Sequence, residues 1–152
     1  STMSSRATAV KEHTSDLATV CEVFGLRREM QSLSEVSALV AQMKIDEALE
    51  AVRACGATNA MVYMLIAPRR TIDHRRQKHQ CLTRDEADRA VIFANTLASA
   101  ERIFGERDKA ARWLQNPNDN LRGAKPLDLL STALGAREVE EELIRIEEGY
   151  FA

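Results

Sequence analysis

The chain has 152 residues, 45% of them hydrophobic and 29% charged, with a formal net charge of −2. At that length it folds as one domain or two small ones, and it buries roughly 68–70% of its unfolded surface without disulfide or metal staples. Aromatics at 5%, six glycines and three prolines argue for helices and against a sandwich or barrel, which consumes turn residues.

The longest apolar run, AMVYMLIA from Ala60 to Ala67, is far short of the roughly 20 residues of a membrane span. Cys21, Cys55 and Cys81 form no CxxC pair, and no signal peptide is in view. A reduced, cytoplasmic setting is the expectation.

In chain order, residues 1–13 lack apolar periodicity and are expected to form a loose arm. From Thr14 the pattern turns helical through Leu17, Val20, Cys21 and Phe24, with Gly25 as a stop. SEVSALVAQM supplies Val36, Leu39, Val40 and Met43. IDEALEAVRACG supplies Ile45, Ala48, Leu49 and Val52 and ends at Gly56. TNAMVYMLIA, with Thr58 as N-cap, is almost wholly apolar and reads as a central buried helix.

Pro68 suits the first turn of the next helix, where a missing N–H costs nothing. That helix is basic and runs to about Lys78. TRDEADRAVIFANTLASAERIFG then opens with a capping box, Thr83 and Glu86, and is expected to be the longest helix and the seam between two halves. Its apolar stripe is Ala87, Val91, Ala94 and Ala98, and Gly105 ends it. Beyond it come a short helix with Trp113 and Leu114 in the core, a turn-rich loop from Asn116 to Gly123 and a proline-started PLDLL. A helix with Val139, Leu143 and Ile146 on one face follows and stops at Gly149. No strand is needed, and the fold class is all-α.

Charge is not spread evenly. Residues 53–81 hold six basic side chains and one acid, a net of +5, while the remainder sums to −7. A local block of this kind points to a local anionic partner. On the basic helix, at about 100° per residue, Ile72 is the one large apolar residue, and Arg70, Thr71, His74, Gln77 and Lys78 lie opposite it. Arg69, Arg75 and Arg76 flank the buried edge and reach sideways. An apolar helix, a short turn with Pro68 and this exposed helix make a helix-turn-helix. In a major groove its outward residues meet base edges and its flanking arginines meet phosphates. The bland alternatives are a solvated charged face and an acidic partner protein. His74, His79 and Cys81 match no standard zinc spacing. No catalytic constellation, phosphate loop or cofactor motif is present, so the expectation is a non-enzyme without cofactor.

Further along, DKAARWLQNPN, GAKPLDLLST and GAREVEEELIRIEEGYFA resemble, in order and spacing, the toxin-binding domain of the MbcA/ParS/Xre antitoxin family. IAPRRTIDHRRQKHQCLTRDEADRAV and AERIFG resemble that family's helix-turn-helix and linking helix, and the resemblance covers residues 56–152. It implies an antitoxin of a type II toxin–antitoxin pair whose toxin carries a RES domain and consumes NAD. The chain would repress its own operon by binding operator DNA as a homodimer, and would form a hetero-oligomer with the toxin, without a membrane.

The expected organisation is residues 14–82 as the DNA-binding and dimerisation domain, 83–104 as the linking helix and 105–152 as the toxin-binding domain. Arg69, Arg70, Thr71, His74, Arg75, Arg76 and Lys78 are the candidate DNA residues. Arg137, Glu141, Arg145, Glu148, Gly149, Tyr150, Phe151 and Ala152 are the candidate toxin residues, with the chain end entering the toxin's active site. Tyr150 and Phe151 give large contact area at low entropy cost, and Glu140, Glu141, Glu142, Glu147 and Glu148 suit a basic pocket. The alternative is that the two aromatics pack under Val139 and Leu143 and the acids face solvent. A rival from another class is a helix-turn-helix regulator with no toxin, whose last third is a dimerisation or ligand module.

Overall fold

The computed structural model describes residues 16–26 and 30–150, Tyr150 by its backbone alone. The described residues are helical with no strand: α1 (residues 16–23), α2 (Leu33–Val40), α3 (Ile45–Ala54), α4 (Asn59–Leu65), α5 (Arg69–Gln77), α6 (Arg84–Phe104), α7 (Arg107–Gln115), α8 (Pro126–Leu129) and α9 (Ala133–Tyr150). A single 3-10 turn, Asp119–Leu121, and an isolated bridge between Asn118 and Ala124 shape the loop before α8. The arm expected at residues 1–13 lies outside the described residues, as do Phe151 and Ala152.

The longest helix is α6, and its boundaries are written in the sequence. Thr83 accepts from the Glu86 amide and Glu86 reaches back to the Thr83 amide, the reciprocal capping box. Gly105 ends the helix at φ 79°, a left-handed turn that glycine takes without a Cβ penalty. Small side chains at Ala87, Ala90, Ala94 and Ala100 are fully buried, and they let α2, α3, α7 and α9 all close on α6. The buried side chains from Val20 to Leu143 belong to one continuous core, so both expected halves share it.

Three details differ from the sequence reading. First, α4 is not a central buried helix. Val62 and Leu65 are buried within it, but Asn59 and Ala60 face solvent and Met64 is 51% exposed. Its apolar run continues into Ile66 and Ala67, which are buried in the turn after it. Second, Pro68 sits just before the first turn of α5 as its N-cap. Third, α9 does not stop at Gly149 but runs through it to Tyr150. A glycine inside a helix costs only about 1 kcal/mol. The turn before it is held by Glu147, paired with Arg102 on α6.

Candidate binding surfaces

The first surface is the outer side of α5. Ile72 is 1% exposed and seats the helix on the core, as its isolation in the sequence implied. Arg69, Arg70, His74, Gln77 and Lys78 are exposed and Thr71 is half-buried. Arg70, Thr71, His74 and Gln77 line one open concavity with Arg69, Asp73 and Arg75.

Arg69 lies 3.7 Å from Asp73 with most of its side chain in solvent, and Arg76 holds Asp46 of α3 at 2.6 Å. Arg70 and Lys78 have no acid partner among the described residues. His79 takes a left-handed turn at φ 53° that ends α5 and leads the chain away to α6.

Arg75 is the exception among the flanking arginines. Expected to reach sideways, its side chain is 18% exposed and turns in to an ion pair with Glu86, itself 7% exposed. The turn between α4 and α5 is secured from the same helix. Arg89 Nε donates to the Leu65 carbonyl at 2.7 Å and Nη2 to the Ile66 carbonyl at 2.8 Å, satisfying acceptors that a helix end leaves open. His74, His79 and Cys81 form no metal-holding group; among the described residues no three His, Cys, Asp or Glu side chains converge.

The second surface is the outer side of α9. Val139 and Leu143 face the core and are buried. On the opposite side, Arg137 and Glu141 pair loosely at 3.4 Å with both side chains largely in solvent, and Glu148 and Gly149 are exposed. The sequence reading missed two members of this face, Leu134 at 79% exposure and Ile144 at 36%. Their signal was available: both lie off the stripe of Val139, Leu143 and Ile146, so at 100° per residue they point away from the core.

Not all the expected acids face outward. Glu142 is buried, accepts from Arg145 at 2.9 and 2.7 Å and from Asn120 at 3.0 Å, and fastens the loop before α8 to α9. Those bonds, Arg145's first, hold its carboxyl below the usual range against the burial that pushes it up. Arg145 is therefore partly engaged within its own helix. Glu147 is engaged too, in the pair with Arg102. That guanidinium also grips Asp16 of α1 at 2.9 and 3.1 Å, and its pKa is pushed up by the Asp16 bond above all. Arg122 of the loop meets Glu138 at 2.7 Å. No helix among the described residues is long and apolar enough to cross a membrane.

Residues 99–149 match the model of a family described as the antitoxin Xre/MbcA/ParS C-terminal toxin-binding domain. Among curated proteins, the chain is 45% identical over 85 residues to an antitoxin Xre of Pseudomonas putida, covering 56% of this chain and 54% of that one. It is 33% identical over 86 residues to an antitoxin Xre of Yersinia enterocolitica, covering 56% and 58%. It is 37% identical over 68 residues to one of Photorhabdus laumondii, covering 44% and 46%. The chain thus spans about half the length of the curated relatives it matches.

Proposed function

We propose, from the premise that the carboxyl-terminal third of this chain is a toxin-binding domain of the Xre/MbcA/ParS antitoxin family, that the protein is the antitoxin of a toxin–antitoxin pair. The match over residues 99–149 is the observation that carries this reading. The partner is a RES-domain toxin that consumes NAD, and the antitoxin acts by occlusion and not by catalysis.

The outer face of α9, from Leu134 to Glu148, docks on the toxin, with Arg137, Glu141 and Arg145 along it. The segment Gly149, Tyr150, Phe151 and Ala152 enters the active-site mouth. Two exposed aliphatic side chains in a charged rim are the composition of an interface core with its border. Glu141 and Glu148 bring negative charge toward a pocket built to hold the phosphates of NAD, which favours encounter and register.

The amino-terminal part binds operator DNA through α5 and represses the shared operon, as a homodimer because such helices read paired half-sites. Arg70, Thr71 and His74 face base edges, and Arg69, Arg76 and Lys78 reach phosphates.

Co-expression tests the first half. Inducing the adjacent reading frame alone collapses cellular NAD and arrests growth, and residues 1–152 restore both. Deleting 149–152 removes the rescue while leaving DNA affinity within about twofold. An NAD pool that never falls ends the toxin assignment, and full rescue by the truncated chain ends the plug.

DNA binding is tested by titration across a salt series. Arg69→Ala makes the slope of log affinity against log salt shallower by about 0.9, one phosphate contact. Arg70→Ala lowers discrimination against scrambled duplex about tenfold or more. A slope and a discrimination both unmoved by these changes remove α5 from the interface.

A further inference from the structure

A recognition helix has to be fixed in roll as well as in place. α5 carries one fully buried apolar side chain, Ile72, and a nine-residue helix seated on one point can turn about it. With side chains reaching roughly 5–6 Å from the axis, a roll of 10° moves Arg70 and His74 by about 1 Å. That shift is enough to spoil a bidentate hydrogen bond.

What stops the roll lies on α6. Glu86 and Arg89 are one turn apart on that helix and hold the two halves of the helix-turn-helix separately. Arg89 holds the carbonyls of Leu65 and Ile66 at the turn, and Glu86 holds Arg75 on α5. The Arg76–Asp46 pair is largely in solvent and contributes little to the hold.

The Glu86 end of the Arg75–Glu86 pair is buried, and the Arg75 side chain is 18% exposed. Arg75 Nη1 is shut away from water, and the Glu86 carboxylate beside it compensates its charge. Rotating α5 would pull the Arg75 guanidinium from this partner. Glu86 is itself immobilised by the Thr83 amide, to which it is bonded at 2.8 Å. The chain of constraint therefore runs from the α6 capping box through Glu86 and Arg75 to the face of α5.

We propose that Arg75, Glu86 and Arg89 are positioning residues for sequence readout. They touch no nucleic acid themselves and fix the roll and pitch of α5, so that Arg70, Thr71 and His74 meet base edges in register. The proposal rests on the DNA-binding reading above. It assigns Arg75 an inward role in place of a phosphate contact, and it gives buried Glu86 and half-buried Arg89 a part in specificity.

The test uses the full chain and two labelled duplexes, the segment immediately upstream of the reading frame and a scrambled duplex of the same composition. Glu86→Gln keeps the capping box, since glutamine also serves at that position, but leaves Arg75 without its counter-charge. It is expected to weaken the upstream duplex about tenfold to a hundredfold, the worth of one misaligned bidentate contact. Scrambled duplex stays within about twofold, and the salt slope is unchanged because no phosphate contact is lost.

Since an uncompensated Arg75 can unfold the chain, the double variant Arg75→Met with Glu86→Gln is measured alongside. With Arg75 replaced by an apolar side chain of similar volume and Glu86 by a neutral one, no uncompensated charge is left at the site. That variant melts like the parent and still loses discrimination. Parental discrimination in either folded variant overturns the proposal while leaving the DNA reading in place. So does a slope that becomes shallower by about one contact in the double variant, which would make Arg75 a phosphate ligand. A parent chain that binds both duplexes equally overturns the DNA reading and this proposal with it.

Discussion

Glu142 shows at the scale of one residue how a functional-looking acid becomes structural. Its spacing from Arg145 was visible as a helical neighbour pair, but its burial was not. That follows from Asn120 arriving from a loop 22 positions away. The folded state holds its pKa below the ordinary value of about 4.5. A depressed carboxyl contributes stability that is present above the unfolded pKa and lost as pH falls through the folded one. Glu142→Gln is accordingly expected to be less stable at about pH 7 and to lose less on acidification to about pH 3. Urea midpoints at the two pH values measure it, and an acid loss identical to the parent's would show that Glu142 carries none of that dependence. The same logic separates the acids of α9. Glu141 and Glu148 remain exposed, while Glu142 and Glu147 are already engaged with Arg145 and Arg102.

At the scale of elements, helix positions were largely legible because apolar spacing and caps are local signals. Thr58, Thr83 and Gly105 stand where their side chains or φ values require. Two errors have physical causes. An apolar run as short as TNAMVYMLIA does not say which side is covered, and α4 leaves Met64 in solvent because α3, α6 and the turn occupy its other face. Gly149 looked like a stop because glycine ends many helices, yet it terminates one only when the chain must turn.

Gly135 is the informative glycine of α9, and the sequence alone did not single it out. A Cβ built there falls far inside contact distance of the Leu129 carbonyl oxygen at the end of α8. Thr132 accepts from the Gly135 amide at 3.0 Å and starts the helix. Gly135→Ala is expected to cost about 1–3 kcal/mol by overpacking and to shift α8 against α9. Thermal unfolding reads the first effect, and, under the proposed function, weakened toxin capture reads the second. A parental melting temperature would show that α8 yields freely.

Over the whole molecule the features that escaped the sequence are those joining distant segments. Arg102 binds Asp16 across 86 positions and pairs with Glu147 across 45, a meeting of α1, α6 and α9 that no local pattern announces. Arg102→Ala leaves Asp16, 8% exposed, with Ser99 as its remaining hydrogen-bond donor among the described residues. Removing one partner of such a pair costs roughly 3 kcal/mol, a fall on the order of 10 °C in Tm for a chain of this size. Calorimetry measures it, and an unchanged Tm would mean that the three helices are held by apolar packing alone. The outward faces, by contrast, were half legible. Charge marked α5, and helical spacing could have marked Leu134 and Ile144, but the inward turn of Arg75 depends on where α6 lies.

That placement of α6 bears on how such a protein can change over generations. Glu86 and Arg102 stand roughly 24 Å apart along one helix at 1.5 Å per residue. One end braces the basic face and the other ties down the acidic one, over a core that runs through both. Ser37 and Asp88, and Arg84 and Ser34, join α2 to the first turns of α6. Any recombination junction, within α6 or in the loop before it, separates residues that hold each other. Domain shuffling is thereby closed off as a route to new pairings. Under the proposed function, operator choice and partner choice are then inherited together and diverge by point changes on the two outward faces, at Arg70 and His74 on one and at Leu134 and Ile144 on the other.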